Sequence, residues 1–524
     1  MRHSKHKIAV VGAGIGGLSA AMRLAAAGAS VTVFERADWC GGKLRAVPSE
    51  AGAVDAGPTV LTQRHVFDEL FEATGASLDD YVTLVPEPLL ARHYWVDGSQ
   101  LDLFGDTDES CAAIRDFAGA QEAAAFKRFT ARCQRLFRQF EAPVMRSGQP
   151  SLATLTATVL RNPKVLADLR PTRSLARDLA AEFRDPRLRQ LFGRYATYVG
   201  GSPYRVPALL GLIWSSEQAG VWRVEGGMHA LAAALAQRAD EVGVDIRLGT
   251  GIARIEGQNG HLTGLTTEDG TRHAFDKVVF NGDPQALSLG YLGPAAQVVP
   301  RRAVSPRSYS AYVWSFAARV SGIDLAHHNV FFGGDAKSEF DDLDHGRMPS
   351  NPTLYVCAQD RGSRDAEHDC ASSERFEIIM NGPAGQERPE EEFQTCRDRT
   401  LRRLACQGLV FETEPAQSAL TTPSDFNALF PGSDGSLYGR SPSGMMATFH
   451  RPTARARLGG LYLAGGGAHP GAGVPMVCLS GQHAAEAIMQ DLALTSTSPQ
   501  MDMRGGTSTG SRSAVAAPSQ SLGS

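Results

Sequence analysis

An α/β fold interrupted by an α+β domain is what this sequence predicts, on three observations. A glycine fingerprint sits between two short apolar runs near the start. A second glycine-rich loop precedes a long Ala-rich helix near the end. Between them lie helical stretches and β-rich runs of the kind that pair antiparallel. At 524 residues the chain exceeds one typical domain, so two are expected.

The first element, Ile8–Val11, is a continuous apolar run, as expected of a strand buried on both faces. It enters Gly12-Ala-Gly14-Ile-Gly-Gly17. Ser19–Gly28 then reads as an Ala/Leu-rich helix stopped by Gly28, and Val31–Phe34 is a second strand ending at Glu35. In this setting Gly12 makes the tight turn, Gly14 lets backbone approach a pyrophosphate, and Gly17 packs the helix on the sheet. Glu35, about 20 residues on, reaches ribose hydroxyls. This part is therefore Rossmann-like and binds a dinucleotide. An acid at Glu35 argues against NADP, whose 2′-phosphate would want a base. Gly41-Gly42-Lys43 and Asp55-Ala-Gly57-Pro58-Thr59 stand where an NAD dehydrogenase continues into a plain helix. They suggest a longer cofactor lying across further main chain. Lys43 either faces its phosphate or flavin, or is a solvated surface lysine.

From Tyr94 to about Gly220 the pattern is mostly helical. Ala230–Val242 reads as a helix, and Val244–Leu248, Gly251–Glu256 and Thr263–Thr267 as strands, with a hairpin signal at Glu268-Asp-Gly270. Lys277–Asn281 is a buried strand leading into Gly282-Asp283-Pro284. Tyr309–Ala318, Thr353–Ala358 and Phe376–Asn381 suit an antiparallel sheet flooring a ligand tunnel. Near the end, Leu461–Ala464 enters the loop Gly465–Gly473, before a helix from about Pro475 to Ala493. A loop so free of side chains lets a flat ligand lie on main chain, and the helix N-terminus behind it offers N–H groups and partial positive charge. This is one half of a flavin site, and Gly12–Glu35 is the other.

The chain resembles the bacterial-type carotenoid (phytoene) desaturases, within the glutathione-reductase-like flavoproteins. The resemblance rests on Gly460, Tyr462, Leu463, Gly465–Ala468, His469-Pro470-Gly471, Gly473, Val474 and Ser480, and on Val199-Gly-Gly-Ser-Pro203, Glu225-Gly-Gly-Met228 and His327-His-Asn-Val-Phe-Phe332. Gly57-Pro-Thr-Val-Leu-Thr62, Glu217-Gln-Ala-Gly-Val-Trp222 and Tyr355-Val-Cys-Ala-Gln-Asp-Arg361 look most like the hydroxyneurosporene (1-hydroxycarotenoid 3,4-) desaturases. The resemblance implies FAD, held by Gly12, Gly14, Gly17, Glu35, Gly42, Lys43, Gly57, Pro58, Thr59, Ile252 (near the adenine), Asp283, Gly465, Gly466, Gly473 and Val474. It implies FAD residues at 7–92, 221–290 and 426–492, substrate-domain residues at 93–220 and 291–425, and a disordered tail at 493–524. The implied reaction is hydride transfer to flavin from an acyclic carotenoid, forming the 3,4 double bond of a 1-hydroxylated chain, with oxygen or quinone as final acceptor. Phytoene desaturation, a flavin-dependent isomerase or saturase, and a non-catalytic carotenoid-binding scaffold are the alternatives.

No base stands out. His469 is a weak candidate and more readily a loop fastener. His327 and His328 read as structural or lining residues. Glu225 could touch FAD, and Glu217 reads as a surface charge. Of Tyr195, Tyr198, Trp214, Trp222, Tyr312 and Trp314, two or three are expected to line a polyene channel.

A net charge of −4 gives no nucleic-acid signal. Eight scattered cysteines without Cys-x-x-Cys suggest neither disulfides nor a metal site, and fit reduced cytoplasmic thiols. No apolar stretch approaches the roughly 18 residues of a spanning helix. A lipid-soluble substrate then implies peripheral contact with the inner face of a membrane. The expected face is Arg161–Arg205, with ten bases against four acids and leucines at 160, 166, 169, 175, 179, 188 and 191.

Overall fold

The computed structural model describes residues 6–161, 164–362, 372–385 and 391–497. A five-stranded parallel sheet runs in the order Asp245–Arg247, Ser30–Phe34, Lys7–Val11, Lys277–Phe280, Leu461–Leu463. Its central residues Ile8, Ala9 and Val10 are fully buried because both faces are covered. On one face the helix Ile15–Ala26 packs between Met228–Glu241 and Val474–Thr497. On the other lies a small antiparallel sheet of Ile252–Gln258, His261–Thr267 and Arg272–His273. The continuous apolar runs read from the sequence are thus explained by burial on two sides.

A second sheet has seven strands, in the order Leu420–Thr421, Ser310–Ala318, Glu374–Gly382, Leu354–Ala358, His328–Phe331, Leu89–Tyr94, Gln100–Phe104. All its pairs are antiparallel except His328–Phe331 with Leu89–Tyr94. Side chains alternate across it. Tyr312, Trp314, Val356, Ile378 and Met380 pack on one face with Cys396 and Leu404 of the helix Glu391–Cys406. Ala311, Val313, Tyr355 and Ile379 stand on the other, where they line a cavity. The expected boundary at 92/93 cuts the strand Leu89–Tyr94, which enters this second sheet whole. The last helix runs to Thr497, past the expected start of a disordered tail; the tail's remainder lies outside the described residues.

The region Arg161–Arg205 differs from expectation. Leu175, Leu179, Leu188 and Leu191 are buried in a core with Phe126, Phe129, Phe183, Phe192 and Trp214. They cannot form a lipid-facing stripe. Its bases are largely consumed within the fold. Arg170 joins Arg132 on the buried carboxylate of Asp178, Arg187 pairs with Asp185, Arg205 with Asp344, and Arg189 holds the carbonyls of Phe183 and Arg184. Leu160, at 74%, and Leu166, at 51%, stay exposed, beside exposed Arg161, Lys164, Arg173 and Arg177; Arg184 and Arg205 are exposed further along. The apolar-basic surface narrows to the helices Leu152–Arg161 and Lys164–Leu169 and the turn that follows.

Candidate active site

Where the first strand ends, the chain turns through Gly12, whose φ of +101° suits glycine. The helix Ile15–Ala26 follows. Its first intrahelical bond is Leu18 N–H to Gly14 O, so the N–H groups of the opening turn have no helical partner. A Cβ on Gly17 would stand 2.1 Å from the carbonyl oxygen of Gly12, so only glycine lets helix and turn meet. Glu35 accepts hydrogen bonds from the N–H of Ala13 at 2.7 Å and of Ala37 at 2.9 Å. Those bonds aim its carboxylate and leave lone pairs for a further donor.

The loop Gly465–Gly473 arrives alongside. Asn281, at the end of the strand Lys277–Phe280, joins the two. Its Nδ2 donates to Gly12 O at 3.1 Å, and its buried Oδ1 has no partner among the described residues. Arg451 fastens the loop from outside, with Nη1 on Gly466 O and Nη2 on the carbonyls of Tyr438 and Arg440. Sequence reading missed both residues. Asn281 carried a signal, a polar end to an apolar strand; Arg451 carried none.

Between these elements and the second sheet runs one cavity of about 1060 Å³. Every expected FAD-binding residue except Gly17 lines it: Gly12, Gly14, Glu35, Gly42, Lys43, Gly57, Pro58, Thr59, Ile252, Asp283, Gly465, Gly466, Gly473 and Val474. Gly17 is buried behind the turn. Lys43 is not a surface lysine. Its Nζ donates to Leu437 O at 2.5 Å and lies 5.4 Å from the Phe430 ring, and burial pushes its pKa down to about 8. Asp283 is already engaged, capping the helix Pro284–Ser288 through Gln285 N–H and pairing with Arg307.

The acid–base candidates resolve differently. His469 does not line the cavity. Its ring is buried against His483, with Nε2 at 2.9 Å from Val144 O and 3.0 Å from Ser147 O. Burial holds it neutral, with a pKa near 4, and it fastens the loop to the helical region. His327 and His328 are buried behind the cavity wall and also held neutral by burial. His328 Nδ1 lies 2.6 Å from the hydroxyl of Tyr355, which does line the cavity. Glu225 is exposed and does not line this cavity. Glu217, expected at the surface, is buried, and its carboxylate accepts from the hydroxyls of Tyr195 and Tyr198. Among the six expected aromatics only Tyr198 lines the cavity; Trp214, Trp314, Tyr195 and Tyr312 are core.

The arrangement fits an extended dinucleotide. Side-chain-free main chain at Gly12, Gly14, Gly42 and Gly465, helix N–H groups without a helical partner and an aimed carboxylate line one end. An apolar wall of Val60, Val313 and Ile379 lines the other.

Comparison with known proteins agrees. The model of the flavin-containing amine oxidoreductase family matches residues 15–489. A hydroxyneurosporene desaturase from Cereibacter sphaeroides is 53% identical, covering 94% of this chain and 99% of that protein. A 4,4'-diapolycopene oxygenase from Methylomonas is 31% identical over 94% and 99% of the two. Among solved structures, an oxidoreductase from Methanosarcina mazei has a TM-score of 0.56 at 17% identity, covering 92% of this chain and all of that one, a likeness of fold.

Proposed function

The chain belongs to the carotenoid-desaturase branch of the flavin-containing amine oxidoreductases, and on that premise we propose that it is an FAD-dependent desaturase that forms the 3,4 double bond of a 1-hydroxylated acyclic carotenoid. The observation that carries this reading is the continuity of one cavity from Glu35 and the glycine turn to the face of the second sheet that presents Ala311, Val313 and Ile379. A cofactor at one end and a hydrocarbon at the other would share a single space. FAD held here would supply the hydride acceptor, the proton from the neighbouring carbon would pass to water, and desaturation beside a polyene is eased because developing positive charge is delocalised.

The chain's own residues do the rest. Gly12, Gly14 and the first turn of Ile15–Ala26 offer N–H groups to pyrophosphate, and Glu35 offers acceptor capacity to ribose. Lys43 adds positive charge to the middle of the cavity below pH 8. The N-terminus of Val474–Thr497 places partial positive charge beside Gly465 and Gly473. Val60, Val313 and Ile379 would pack against the polyene. The neutral, inward-facing His469 keeps the loop closed.

The substrate partitions into lipid, and among the described residues no helix is long and apolar enough to cross a membrane. Contact from the surface follows, through Leu160 and Leu166 with the exposed bases beside them. Oxygen or quinone would reoxidise the flavin.

The test is anaerobic incubation of the FAD-loaded protein, on liposomes, with a 1-hydroxylated acyclic carotenoid. Flavin absorbance should bleach while the carotenoid spectrum shifts red by one conjugated double bond. Product formed with the flavin still oxidised refutes desaturation and points to isomerisation. Equal conversion of phytoene refutes the assignment of substrate.

A further inference from the structure

The cavity wall beside the second sheet mixes apolar residues with Thr353, Tyr355 and Asn381, and one charged group stands in it. Arg194 and Tyr198 line the cavity, on the turn after the helix Pro186–Gly193. Arg194 is only 8% exposed, and its guanidinium lies 5.3 and 5.0 Å from the ring centroids of Tyr195 and Tyr198. Its Nη1 donates to the Tyr198 hydroxyl at 2.8 Å; that hydroxyl in turn donates to Glu217 Oε1 at 2.6 Å. Glu217 also accepts from Tyr195. The carboxylate thus balances the guanidinium through a tyrosine. The donors remain in excess. A guanidinium has five N–H groups, and the one hydrogen bond shown for Arg194 is that from Nη1 to Tyr198, which leaves Nη donors for an occupant of the cavity; Nε is buried out of reach, with no partner among the described residues.

This is an expensive way to build a hydrocarbon tunnel. A buried donor without an acceptor is penalised, and the pairing of Arg194 with Glu217 serves packing no better than two apolar residues would. The excess donors make sense if the cavity's occupant brings an oxygen.

We propose that Arg194 and Tyr198 form a binding site for the hydroxyl of the substrate, an uncharged alcohol at the end of an acyclic polyene. The proposal rests on the desaturase reading and sharpens it. The alcohol oxygen accepts from Arg194, and its own O–H donates to the remaining lone pair of the Tyr198 oxygen. The alcohol then uses its oxygen lone pairs and its proton on Arg194 and Tyr198, while the buried Nε of Arg194 stays without a partner. The hydroxyl also acts as a ruler. On a 1-hydroxylated chain the 3,4 bond lies three to four covalent bonds from the oxygen, roughly 4–5 Å. Anchoring the oxygen fixes which carbon pair meets the cofactor. Tyr355 and Thr59, cavity residues near this pair, belong to the same part of the wall.

The experiment measures binding and turnover separately, on FAD-loaded protein, with a 1-hydroxylated acyclic carotenoid and the same hydrocarbon lacking the hydroxyl. Quenching of tryptophan emission gives each Kd. The wild type should prefer the alcohol by about 10- to 150-fold, the range of one hydrogen bond to a charged group. Arg194→Met should collapse that preference to within about threefold, through loss on the alcohol alone, with the hydrocarbon bound as well as before. Arg194→Lys should restore part of it, and Tyr198→Phe should give an intermediate ratio. An unchanged flavin spectrum certifies the fold of each variant. Equal wild-type Kd values overturn the site, as does an Arg194→Met variant that keeps the preference. A variant that weakens both ligands alike, or that shifts the flavin spectrum, overturns it in favour of a structural or cofactor-facing arginine. Preference in binding without turnover of either carotenoid upholds the site and sinks the desaturase reading instead.

Discussion

Gly14→Ala separates cofactor binding from folding. Gly14 has φ −72°, which any residue adopts, and it precedes the helix Ile15–Ala26. An added Cβ would lie 3.0 Å from Asn281 Nδ2 and 3.9 Å from Gly42 Cα. The Asn281 side chain must yield by a few tenths of an ångström. Against that cost, alanine lowers the entropy of the unfolded chain, which is worth about 0.4–1 kcal/mol. The net change in stability should stay within about 1 kcal/mol. The cofactor sees the substitution differently. The methyl group stands on the cavity wall between the first turn and Gly42, where pyrophosphate would approach backbone. Losing one charge-assisted contact there costs about 1.5–3 kcal/mol, a rise of about 10- to 150-fold in the Kd for FAD. Gly28→Ala provides the reverse case. Gly28 has φ +93° and nothing within 4 Å of its added Cβ, so alanine pays about 1–2 kcal/mol of left-handed backbone strain and leaves the cavity untouched. Titration of apoprotein by flavin fluorescence, beside urea unfolding of the same samples, measures both quantities. A Gly14→Ala protein that binds FAD within threefold of wild type would refute the reasoning, as would a Gly28→Ala protein with the weaker FAD affinity of the two.

Three further outcomes are expected. Lys43 carries its proton below about pH 8, so FAD affinity should fall as pH rises through 8, and Lys43→Met should flatten that profile. Because its folded pKa lies below the ordinary 10.5, the apoprotein should gain stability from this group between pH 8 and 10.5, read from urea midpoints. Asp178→Ala strands the buried guanidinium of Arg132, at 6% side-chain exposure, and should destabilise by about 3–5 kcal/mol; adding Arg132→Leu should recover much of the loss. Leu160→Asp with Leu166→Asp removes two apolar anchors worth about 1.5–3 kcal/mol each if buried, and should cut sedimentation with anionic vesicles at least tenfold while FAD binding is unchanged.

Much of this architecture was legible because glycine spacing and apolar periodicity are local signals. Gly12 to Glu35 could be read directly, since each step of strand, turn and helix lies within one short window. The strands at 252–267 and 310–318 declared themselves by alternation. Residues defined by distant partners stayed hidden. Glu217 looks like any surface acid until Tyr195 and Tyr198, about 20 residues earlier, close over it. The leucines at 175, 179, 188 and 191 have the spacing of an amphipathic face, and spacing cannot say whether that face meets lipid or Phe192. The bases around them suggested a membrane, yet Asp178 and Asp185 had already claimed several. Arg194 was indistinguishable from its neighbouring arginines; only its inward position sets it apart.

The two halves of the cofactor site have a history as well as a geometry. The strand Leu461–Leu463 completes the parallel sheet, and Gly481 packs so closely on Gly16 that an added Cβ would stand 2.2 Å from its carbonyl oxygen. The fingerprint at Gly12 leaves the ribosome about 450 residues ahead of Gly465. At synthesis rates of about 5–20 residues per second, it waits roughly 20–90 s for its other half. Throughout that interval the nascent chain exposes an unfinished sheet edge and an uncovered helix face. Loading with FAD is therefore a late event in the life of each molecule, and a chain that stops short of residue 460 is delivered without a closed cofactor site.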